Sequence, residues 1–353
     1  MTASLSIALD AMGGDRAPEM VVKGANIARQ RFPNVSFIFF GDEQRIKPLL
    51  ARYRALSKVA RIVHTDKIVA GDDKPSVALR AGRNSSMRLA IDAVQAGEAA
   101  GVVSAGNTGA LMAMAKFVLK TLPGIDRPAI ASFFPTLRGE SVLLDLGANL
   151  SCDADNLVQF AVMGNVFART VLGILKPTIG LLNVGSEEVK GHEAVREAAS
   201  MLRATALPVD FRGFVEGDDI ARGTVDVIVT DGFTGNVALK TLEGTAKLYA
   251  EFLRRSFKSS MVASLGYLLA RPALNALRVR TDPRRYNGAI FLGLNGVAVK
   301  SHGGTDALGF ANAIGVAVDM VTQKSLEKIR EDFARFVAGN PSSPHSSPQV
   351  VGL

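Results

Sequence analysis

Short runs of β-branched and aliphatic residues alternate along the chain with longer segments of helical periodicity, and this alternation constrains the fold more than any other feature. Such a pattern builds βαβ units. It predicts an α/β protein with a mostly parallel sheet and helices on both faces. Runs that are apolar almost throughout suit strands that are covered on both sides. The clearest predicted strands are Ser6–Asp10, Ser36–Gly41, Gly101–Ser104, Ser141–Asp145, Thr178–Asn183, Val225–Thr230 and Gly296–Lys300.

The amount of apolar material is sufficient for one large core. Of the 353 residues, 48% are hydrophobic and 21% are charged, which is typical of globular proteins. Residues 1–338 are expected to form a single α/β catalytic unit, and the Pro- and Ser-rich residues 339–353 a disordered tail. A single cysteine, Cys152, excludes an intramolecular disulfide. Because neither a signal peptide nor a membrane-spanning run is evident, we expect a cytoplasmic protein.

The chain is basic, with a formal net charge of +8. Such a balance favours acidic partners, which include nucleic acid, anionic lipid and an acidic carrier protein, and it also fits an enzyme with a basic surface. The sequence has no Trp and only 4 Tyr, which argues against a surface built on aromatic stacking. We expect no nucleic-acid partner.

Glycine-rich loops follow six of the predicted strands. Ligands of open α/β sheets bind outside the carboxyl ends of the strands, so we expect all six loops to gather on one edge. Glycine permits close approach of the backbone, and Thr, Asn and Asp cap helices whose N–H groups can then face an anion. Ordinary turns use the same residues, but six such loops in one chain predict an anion site. The loops are 10–15, 104–109, 145–149, 183–188, 231–236 and 301–306.

Familiar nucleotide and hydrolase motifs do not fit these loops. The first strand is not followed by G-x-G-x-x-G, and no G-x-x-x-x-G-K-[ST] occurs. Ser104 resembles a nucleophile elbow, but Val102 stands where that motif requires glycine. No cluster of His, Cys and carboxylates has metal-ligand spacing. We therefore expect no dinucleotide, no covalent serine chemistry, no metal and no other cofactor.

In their order along the chain, these loops resemble the motifs of the bacterial phosphate acyltransferases, or acyl-acyl-carrier-protein:phosphate acyltransferases. The resemblance implies a fold like the isocitrate and isopropylmalate dehydrogenases, shared with phosphotransacetylases, and a homodimer. It implies that acyl-acyl carrier protein and inorganic phosphate give acyl phosphate and free carrier. The product would supply a glycerol-3-phosphate acyltransferase in phospholipid synthesis. The matching blocks are Ala8–Asp15, Ser104–Ala110, Leu182–Glu187, Asp231–Asn236, Tyr286–Ala289 and Lys300–Gly303.

Phosphate is the nucleophile of that reaction, so the site must desolvate and aim it and then stabilise a tetrahedral oxyanion. Lys190 could pair with phosphate or the oxyanion, His302 could be a general acid or an oxyanion donor, and Asp231 could orient donors. A solvated surface lysine and a capping or core histidine remain alternatives. Asn107 and Thr108 are the leading phosphate contacts. The full predicted phosphate-binding set is Gly13, Gly14, Asn107, Thr108, Gly109, Gly232, Phe233, Thr234, Gly235, Asn236 and Gly303.

The segment Arg254–Arg285 differs from the rest because basic residues flank an apolar stretch. It predicts a protruding helical hairpin in which Pro272 breaks or kinks a helix into two short amphipathic pieces. A basic, amphipathic helix can lie in an anionic membrane interface, which would make the protein peripherally membrane-associated. Packing in the dimer and docking of the acidic carrier are the alternatives. The expected membrane contacts are Val262, Leu265, Leu268 and Leu269.

Other functions remain open on the residues alone. A phosphotransacetylase-like enzyme would use a coenzyme A thioester at the same phosphate cleft. A membrane-associated scaffold for lipid enzymes would have no activity of its own. A metal- and NAD-dependent decarboxylating dehydrogenase would share the fold, but the sequence lacks an evident dinucleotide signature and clustered metal carboxylates.

Overall fold

One large sheet dominates the architecture. The structure is a computed structural model and describes residues 5–204 and 209–339. Within these residues an eleven-stranded sheet has helices packed on both of its faces. The strands are β1 (Leu5–Asp10), β2 (Val35–Gly41), β3 (Ala60–His64), β4 (Gly101–Ser104), β5 (Ala129–Pro135), β6 (Glu140–Leu144), β7 (Thr178–Leu182), β8 (Asp210–Val215), β9 (Val227–Val229), β10 (Ala289–Leu292) and β11 (Val297–Lys300).

Helices connect the strands, and several begin behind a side chain that accepts a hydrogen bond from a first-turn N–H group. Asn107, Asp153, Asp231 and Asp306 are such caps. A short 3-10 helix spans Pro283–Tyr286. The α-helices are α1 (Glu19–Arg31), α2 (Glu43–Ala51), α3 (Arg54–Ser57), α4 (Pro75–Ala81), α5 (Ser86–Gln95), α6 (Thr108–Leu119), α7 (Ala154–Val171), α8 (Glu193–Ala204), α9 (Gly217–Arg222), α10 (Gly232–Phe257), α11 (Met261–Arg280), α12 (Ala307–Thr322) and α13 (Ser325–Gly339).

The strands fall into two parallel sets that run in opposite directions. Their order in the sheet is β3-β2-β1-β4-β11-β10-β5-β6-β9-β7-β8. The first strand set, from β3 to β11, is parallel throughout, and so is the second, from β6 to β8. Between them, β10 and β5 are each antiparallel to both neighbours. These successive reversals leave the second set antiparallel to the first. The predicted mostly parallel sheet with helices on both faces is confirmed.

Side chains of each strand alternate between two apolar cores, as the period of two requires. In β1, Ile7 and Leu9 enter one core and Ala8 enters the other. Helices α1, α7, α12 and α13 cover the first face. Helices α5, α6 and α10 pack on the second face. The second face is the one on which α6 and α10 both begin at glycine-rich loops.

All the strands predicted from the sequence are present, with ends that differ by two residues at most. The sequence reading missed β3, β5, β8 and β10. The edge strands β3 and β8 carry exposed Arg61 and Arg212, which interrupt their apolar runs. The short strand β10 has four residues, and such a run cannot be told from a buried helical segment by periodicity. The predicted tail lies outside the described residues, apart from Gly339, which ends α13.

The basic segment Arg254–Arg285 contains the end of α10 and the whole of α11. Both helices are largely exposed. Only Gly232 and Gly235 are buried in α10, and α11 buries no residue. The rings of Phe257 and Tyr267 pack edge to face with 5.4 Å between centroids. The four predicted membrane contacts all lie on α11 and are between 58% and 80% exposed: Val262, Leu265, Leu268 and Leu269.

The predicted division at Pro272 into two short pieces is wrong, because α11 is a single helix with Pro272 in its interior. Proline lacks the N–H group that would bond to the carbonyl oxygen of Leu268. Both residues are exposed, so water can satisfy that oxygen and the helix continues. The end of α11 is held to the body by Arg280, whose guanidinium donates to the carbonyl oxygens of Thr136 and Leu137, each at 3.2 Å.

Candidate active site

Three of the glycine-rich loops meet at the carboxyl ends of β1, β4 and β11, which are neighbours in the sheet. We call these loops, 10–15, 104–109 and 301–306, the first loop cluster. The N–H group of Asp15 donates to the carbonyl oxygen of Gly303 at 3.0 Å. Gly14 has a φ of 100°, and a Cβ there would lie 2.9 Å from the Cβ of Ala105. The loops therefore pack backbone to backbone, and a larger residue than glycine would separate them.

Asp10 organises this cluster from within. Its buried carboxylate accepts hydrogen bonds from the hydroxyls of Ser86 and Ser104, both at 2.6 Å. Ser104 in turn accepts a bond from the N–H of Gly106 at 3.0 Å. Burial raises the pKa of Asp10, although its hydrogen bonds act in the opposite direction. Gly13 packs on the same carboxylate, since a Cβ there would lie 2.5 Å from Oδ2 of Asp10.

Helix α6 begins in the first loop cluster and presents N–H groups there. Asn107 caps it by accepting a hydrogen bond from the N–H of Ala110 at 3.0 Å. The N–H groups of Thr108 and Gly109 precede the first intrahelical bond and lie at the positive end of the helix dipole. Thr108 is exposed. This geometry suits an anion, so Thr108 and Gly109 stay predicted phosphate contacts.

Both the oxygen and the nitrogen of the Asn107 side-chain amide form hydrogen bonds within the protein. Besides the cap, its amide donates to the carbonyl oxygens of Gly71 at 3.0 Å and Asp73 at 2.9 Å. It thereby ties the loop before α4 to the start of α6. A contact between Asn107 and phosphate would therefore come from its backbone N–H rather than from its amide.

His302 follows β11, is exposed, and has a defined orientation. Its Nδ1 accepts a hydrogen bond from the N–H of Gly304 at 3.1 Å. That bond assigns Nδ1 as the unprotonated nitrogen, so the neutral ring carries its proton on Nε2. The N–H of His302 donates to Oδ1 of Asn287 at 2.8 Å. The ring thus offers one N–H donor at the cluster, which fits the donor role predicted for it.

The other three loops form a second loop cluster, residues 145–149, 183–188 and 231–236, at the carboxyl ends of β6, β7 and β9. Its centre is the buried carboxylate of Asp145. Burial raises the pKa of Asp145, against the effect of its hydrogen bonds. The carboxylate accepts bonds from the N–H groups of Ile130 at 2.9 Å, Ala148 at 3.0 Å and Asn149 at 2.7 Å. The backbone of this cluster is therefore wrapped around its own aspartate.

Helix α10 begins in the second loop cluster with most of its first N–H groups engaged. The N–H of Gly232 donates to the carbonyl oxygen of Asn149 at 2.7 Å. Asp231 caps the helix, accepting from the N–H of Thr234 at 2.9 Å and from its hydroxyl at 2.7 Å. Phe233 lies between them and is 62% exposed. Among residues 232–235, the N–H groups of Gly232, Thr234 and Gly235 are hydrogen-bonded, which leaves that of Phe233 for a ligand.

Gly235 and Asn236 complete this helix start. A Cβ on Gly235 would lie 1.9 Å from the carbonyl oxygen of Asp145, so glycine is required there for packing. Asn236 is exposed, and its amide donates one hydrogen to the carbonyl oxygen of Leu146 at 3.0 Å. The second amide hydrogen and Oδ1 can still face a ligand. Asn236 therefore stays a predicted substrate contact.

Lys190 lies just beyond the second loop cluster, on the segment between β7 and α8. Its side chain is exposed, and its carbonyl oxygen accepts a hydrogen bond from the amide of Asn183 at 3.1 Å. Asn183 also donates to the carbonyl oxygen of Gly185 at 3.1 Å. The loop that carries Lys190 is thus closed on itself. The role of Lys190 towards phosphate or the oxyanion stays a prediction.

The expectation that all six loops gather on one edge is wrong. Strands of the second set run opposite to the first, so their carboxyl ends point the other way. The antiparallel strands β10 and β5, which the sequence reading missed, cause this reversal. Helix α10, which begins in the second cluster, passes near the first, because Lys240 of α10 is an electrostatic neighbour of Lys300 at the end of β11.

The residues missing from the predicted site include Asp145, in the second loop cluster, and Asn287 and Lys300, beside the first. Asn287 is buried, and its amide donates to the hydroxyl of Ser301 and the carbonyl oxygen of Gly309, both at 2.8 Å. It thereby fixes the loop that carries His302. Asn287 and Lys300 both lie within sequence blocks that carry the family resemblance, and that position was the signal by which they could have been found.

In the described ranges, no group of three or more His, Cys, Asp or Glu side chains could hold a metal ion.

Taken together, the fold and the two loop clusters define an α/β enzyme whose helix starts can receive an anion. Solved structures of this fold include a phosphotransacetylase from Streptococcus pyogenes, with a TM-score of 0.60 and 18% identity, covering 93% of this chain and 95% of that one. A 4-hydroxythreonine-4-phosphate dehydrogenase from Klebsiella pneumoniae has a TM-score of 0.50 and 15% identity, covering 91% of this chain and 98% of the other. These similarities confirm the predicted dehydrogenase-like fold.

Sequence comparison gives the family. The profile of a family described as fatty acid synthesis protein matches residues 5–328. A phosphate acyltransferase of Rhodospirillum centenum is 75% identical over 338 residues, which is 96% of this chain and 95% of the relative. One from Rhodospirillum rubrum is 65% identical over 335 residues, 95% of this chain and 96% of the relative. The chain belongs to the phosphate acyltransferase family and is an acyltransferase, as the resemblance implied.

Among the helices of residues 5–204 and 209–339, none combines the length and the apolar character that crossing a lipid bilayer requires.

Proposed function

We propose that this enzyme transfers an acyl group from acyl-acyl carrier protein to inorganic phosphate. An oxygen of hydrogen phosphate attacks the thioester carbonyl carbon and forms a C–O bond. The tetrahedral intermediate collapses with cleavage of the C–S bond. The thiolate of the carrier takes up the proton that hydrogen phosphate brought, so the products are acyl phosphate and free carrier thiol.

The start of α6 is the observation that carries this proposal. Its first N–H groups, on Thr108 and Gly109, are accessible in a cluster of tightly packed backbone. A phosphate held there is partly desolvated and aimed without a covalent nucleophile on the protein. Gly13, Gly14 and Gly303 let the backbone approach the anion closely from the neighbouring loops.

His302 is suited to the proton transfer. Its Nε2 carries the ring proton because Nδ1 accepts from Gly304. This N–H can donate to the developing oxyanion and then to the leaving thiolate, and it recovers its proton from the phosphate. Asn287 fixes the histidine loop. Lys190 would add positive charge near the phosphate or the oxyanion from the segment between β7 and α8, and Asp231 would orient the donors of the α10 start.

One assay tests the function. The protein is mixed with long-chain acyl-acyl carrier protein and phosphate, and free thiol and hydroxylamine-trapped acyl phosphate are measured. We expect phosphate-dependent release, and His302→Ala and Lys190→Ala should reduce turnover roughly 100-fold each, within the usual range for acid–base and electrostatic groups. Lys116→Ala, at an exposed position on α6, is the control.

Turnover only with acyl-coenzyme A would replace this proposal by a phosphotransacetylase activity. No turnover with either thioester would leave the scaffold role. Wild-type rates in correctly folded His302→Ala and Lys190→Ala would remove the roles given to those two side chains, while the reaction itself would stand.

We further propose a cytoplasmic homodimer that contacts anionic membrane surfaces through α11 and hands its product to a glycerol-3-phosphate acyltransferase. Exposed apolar residues of α11 support membrane contact, with Val262 80% and Leu269 77% exposed. Basic residues such as Arg254 and Arg278 flank them, which is the pattern of an interfacial helix.

Co-sedimentation with vesicles that contain anionic lipid tests this contact. Leu268→Glu should lower the bound fraction strongly, because a charge on the apolar face opposes burial in the interface. Leu175→Glu, at a leucine that is 89% exposed elsewhere on the surface, should bind as the wild type does. Equal binding of all three proteins would exclude the membrane role of α11. Light scattering of the same variants reports whether this face instead joins two subunits.

A further inference from the structure

Lys300 occupies a position in the sheet that brings it beside the first loop cluster. It pairs in register with Ser104 of the neighbouring strand β4. Ser104 in turn is bonded through its hydroxyl to Asp10 at the end of β1. Side chains in register on parallel strands lie on the same face. Asp10, Ser104 and Lys300 therefore form a row across the carboxyl ends of three adjacent strands.

This row lies on the second face of the sheet, the face on which α10 packs. Ala298, two residues before Lys300, belongs to the core of that face, and Leu239 and Leu242 of α10 pack on the same core. Lys240 of α10 is close enough to Lys300 to affect its protonation. Lys300 thus links the first loop cluster to the helix that starts in the second.

The charge of Lys300 is poorly compensated by protein. Its ammonium donates to the carbonyl oxygen of Ser301, and within the described residues it forms no salt bridge. Burial lowers the pKa of Lys300 to about 8; the nearby carboxylates of Asp10 and Asp15 oppose this shift, and Lys240 adds to it. Asp10 is itself bonded to two hydroxyls. A half-buried ammonium without an ion-pair partner loses part of its hydration without compensation and is typical of a position that receives an anion.

We propose that Lys300 binds the phosphate substrate directly, as the floor of an anion site whose walls are the start of α6 and the loop of His302, with Lys240 contributing charge from α10. This inference rests on the function proposed above and adds to it the side chain that neutralises the nucleophile.

A phosphate in that position would meet complementary groups from two directions. The N–H groups of Thr108 and Gly109 approach it from the α6 start, and the ammonium of Lys300 lies on the neighbouring strand end. Lys240 is also paired with Glu243 at 2.9 Å, so it supplies less net charge than Lys300 does. Binding of the dianion would raise the pKa of Lys300 again and keep its ammonium charged.

Steady-state kinetics with varied phosphate test the inference. Lys300→Met should raise KM for phosphate about 10- to 100-fold, as expected for the loss of a charge-assisted hydrogen bond. The KM for the acyl carrier should change little. In the wild type, KM for phosphate should rise as the pH passes through about 8, because neutral Lys300 no longer attracts the anion. That inflection should be absent in Lys300→Met.

Lys300→Arg keeps the charge at every pH of the assay and guards against a folding defect in the methionine variant. Its KM for phosphate should not show the inflection near pH 8, since arginine stays protonated. Lys116→Met, at an exposed lysine on the same side of the sheet, should behave as the wild type. A wild-type KM in Lys300→Met, or the same inflection in Lys300→Arg, would overturn the inference.

Thermal stabilisation by inorganic phosphate, measured without any acyl carrier, separates this inference from the proposed function. Stabilisation of the wild type at much lower phosphate than Lys300→Met supports the site even if acyl transfer fails. Equal stabilisation of folded wild type and Lys300→Met overturns the role of Lys300, whatever the acyl-transfer assay gives.

Discussion

The two loop clusters are built on the same plan and differ in where their hydrogen bonds go. Each surrounds a buried aspartate at the end of a strand, Asp10 in the first and Asp145 in the second. Asp10 is held mainly by the hydroxyls of Ser86 and Ser104. Asp145 is held by backbone N–H groups and by the amide of Asn149.

This difference decides which cluster can receive an anion through its backbone. Side-chain hydroxyls bind Asp10, and the N–H groups of Thr108 and Gly109 at the α6 start have no intrahelical partner. In the second cluster, most backbone N–H groups already donate to Asp145 or to the cap of α10, Asp231. The first cluster also has the half-buried Lys300 beside it. Similar glycine-rich loops therefore serve the first cluster as a ligand-binding site and the second as a rigid support.

Gly235→Ala tests the rigid support and has the largest expected effect. Its Cβ would lie 1.9 Å from the carbonyl oxygen of Asp145, and that carbonyl belongs to tightly packed backbone. We expect a loss of about 3 kcal/mol or more of unfolding free energy, measured by urea denaturation, at the upper end of overpacking effects. Gly303→Ala is the matched control, because the nearest atom to its Cβ is 3.5 Å away. Equal losses in both variants would contradict the contrast between the clusters.

Asp145→Asn and Asp10→Asn compare the two aspartates directly. Asp145→Asn would place an NH₂ group against backbone N–H groups, which can only donate hydrogen bonds. We therefore expect a loss of about 2 to 3 kcal/mol in unfolding free energy. At Asp10 the hydroxyls of Ser86 and Ser104 can rotate to accept, and the loss should stay near about 1 kcal/mol. Chemical denaturation at neutral pH measures both. A larger loss for Asp10→Asn would reverse the assignment of roles.

Lys300 adds a pH dependence that only the first cluster should have. Its pKa falls from 10.5 in the unfolded chain to about 8 in the folded one, so between these values the unfolded state binds more protons. Stability of the wild type relative to Lys300→Met should therefore rise from pH 8 towards 10.5, by about 2 kcal/mol. Denaturation of both proteins across this range measures it. A constant difference would show that the pKa of Lys300 is not lowered in the folded protein.

Thr108→Glu places a negative charge at the α6 start, where phosphate is expected. The exposed carboxylate should raise KM for phosphate about tenfold through repulsion and should leave stability unchanged or slightly higher, because acidic residues suit helix N-termini. Phe233→Glu does the same at the α10 start and should have an effect of about threefold or less. The opposite ranking in phosphate kinetics would move the anion site to the second cluster.

Local pattern was sufficient for much of the fold. The strand before each glycine-rich loop could be read from its apolar run, and the helix starts from caps such as Asn107 and Asp231. The membership of the family also followed from short blocks in a fixed order. By contrast, the helix through Pro272 was missed because its tolerance depends on solvent reaching the carbonyl oxygen of Leu268, which periodicity does not report.

The sequence by itself therefore determined the α/β class, the glycine-rich loops and the family. Only the tertiary structure decided that the six loops form two clusters, since strand direction depends on the pairing of β10 and β5 with partners far along the chain. It also decided which N–H groups are available, because Gly232 is satisfied by Asn149, which lies on another loop. Glycine content in the sequence indicates where the backbone can approach a ligand. Long-range hydrogen bonds decide whether the backbone N–H groups there remain free for the ligand or bond within the protein.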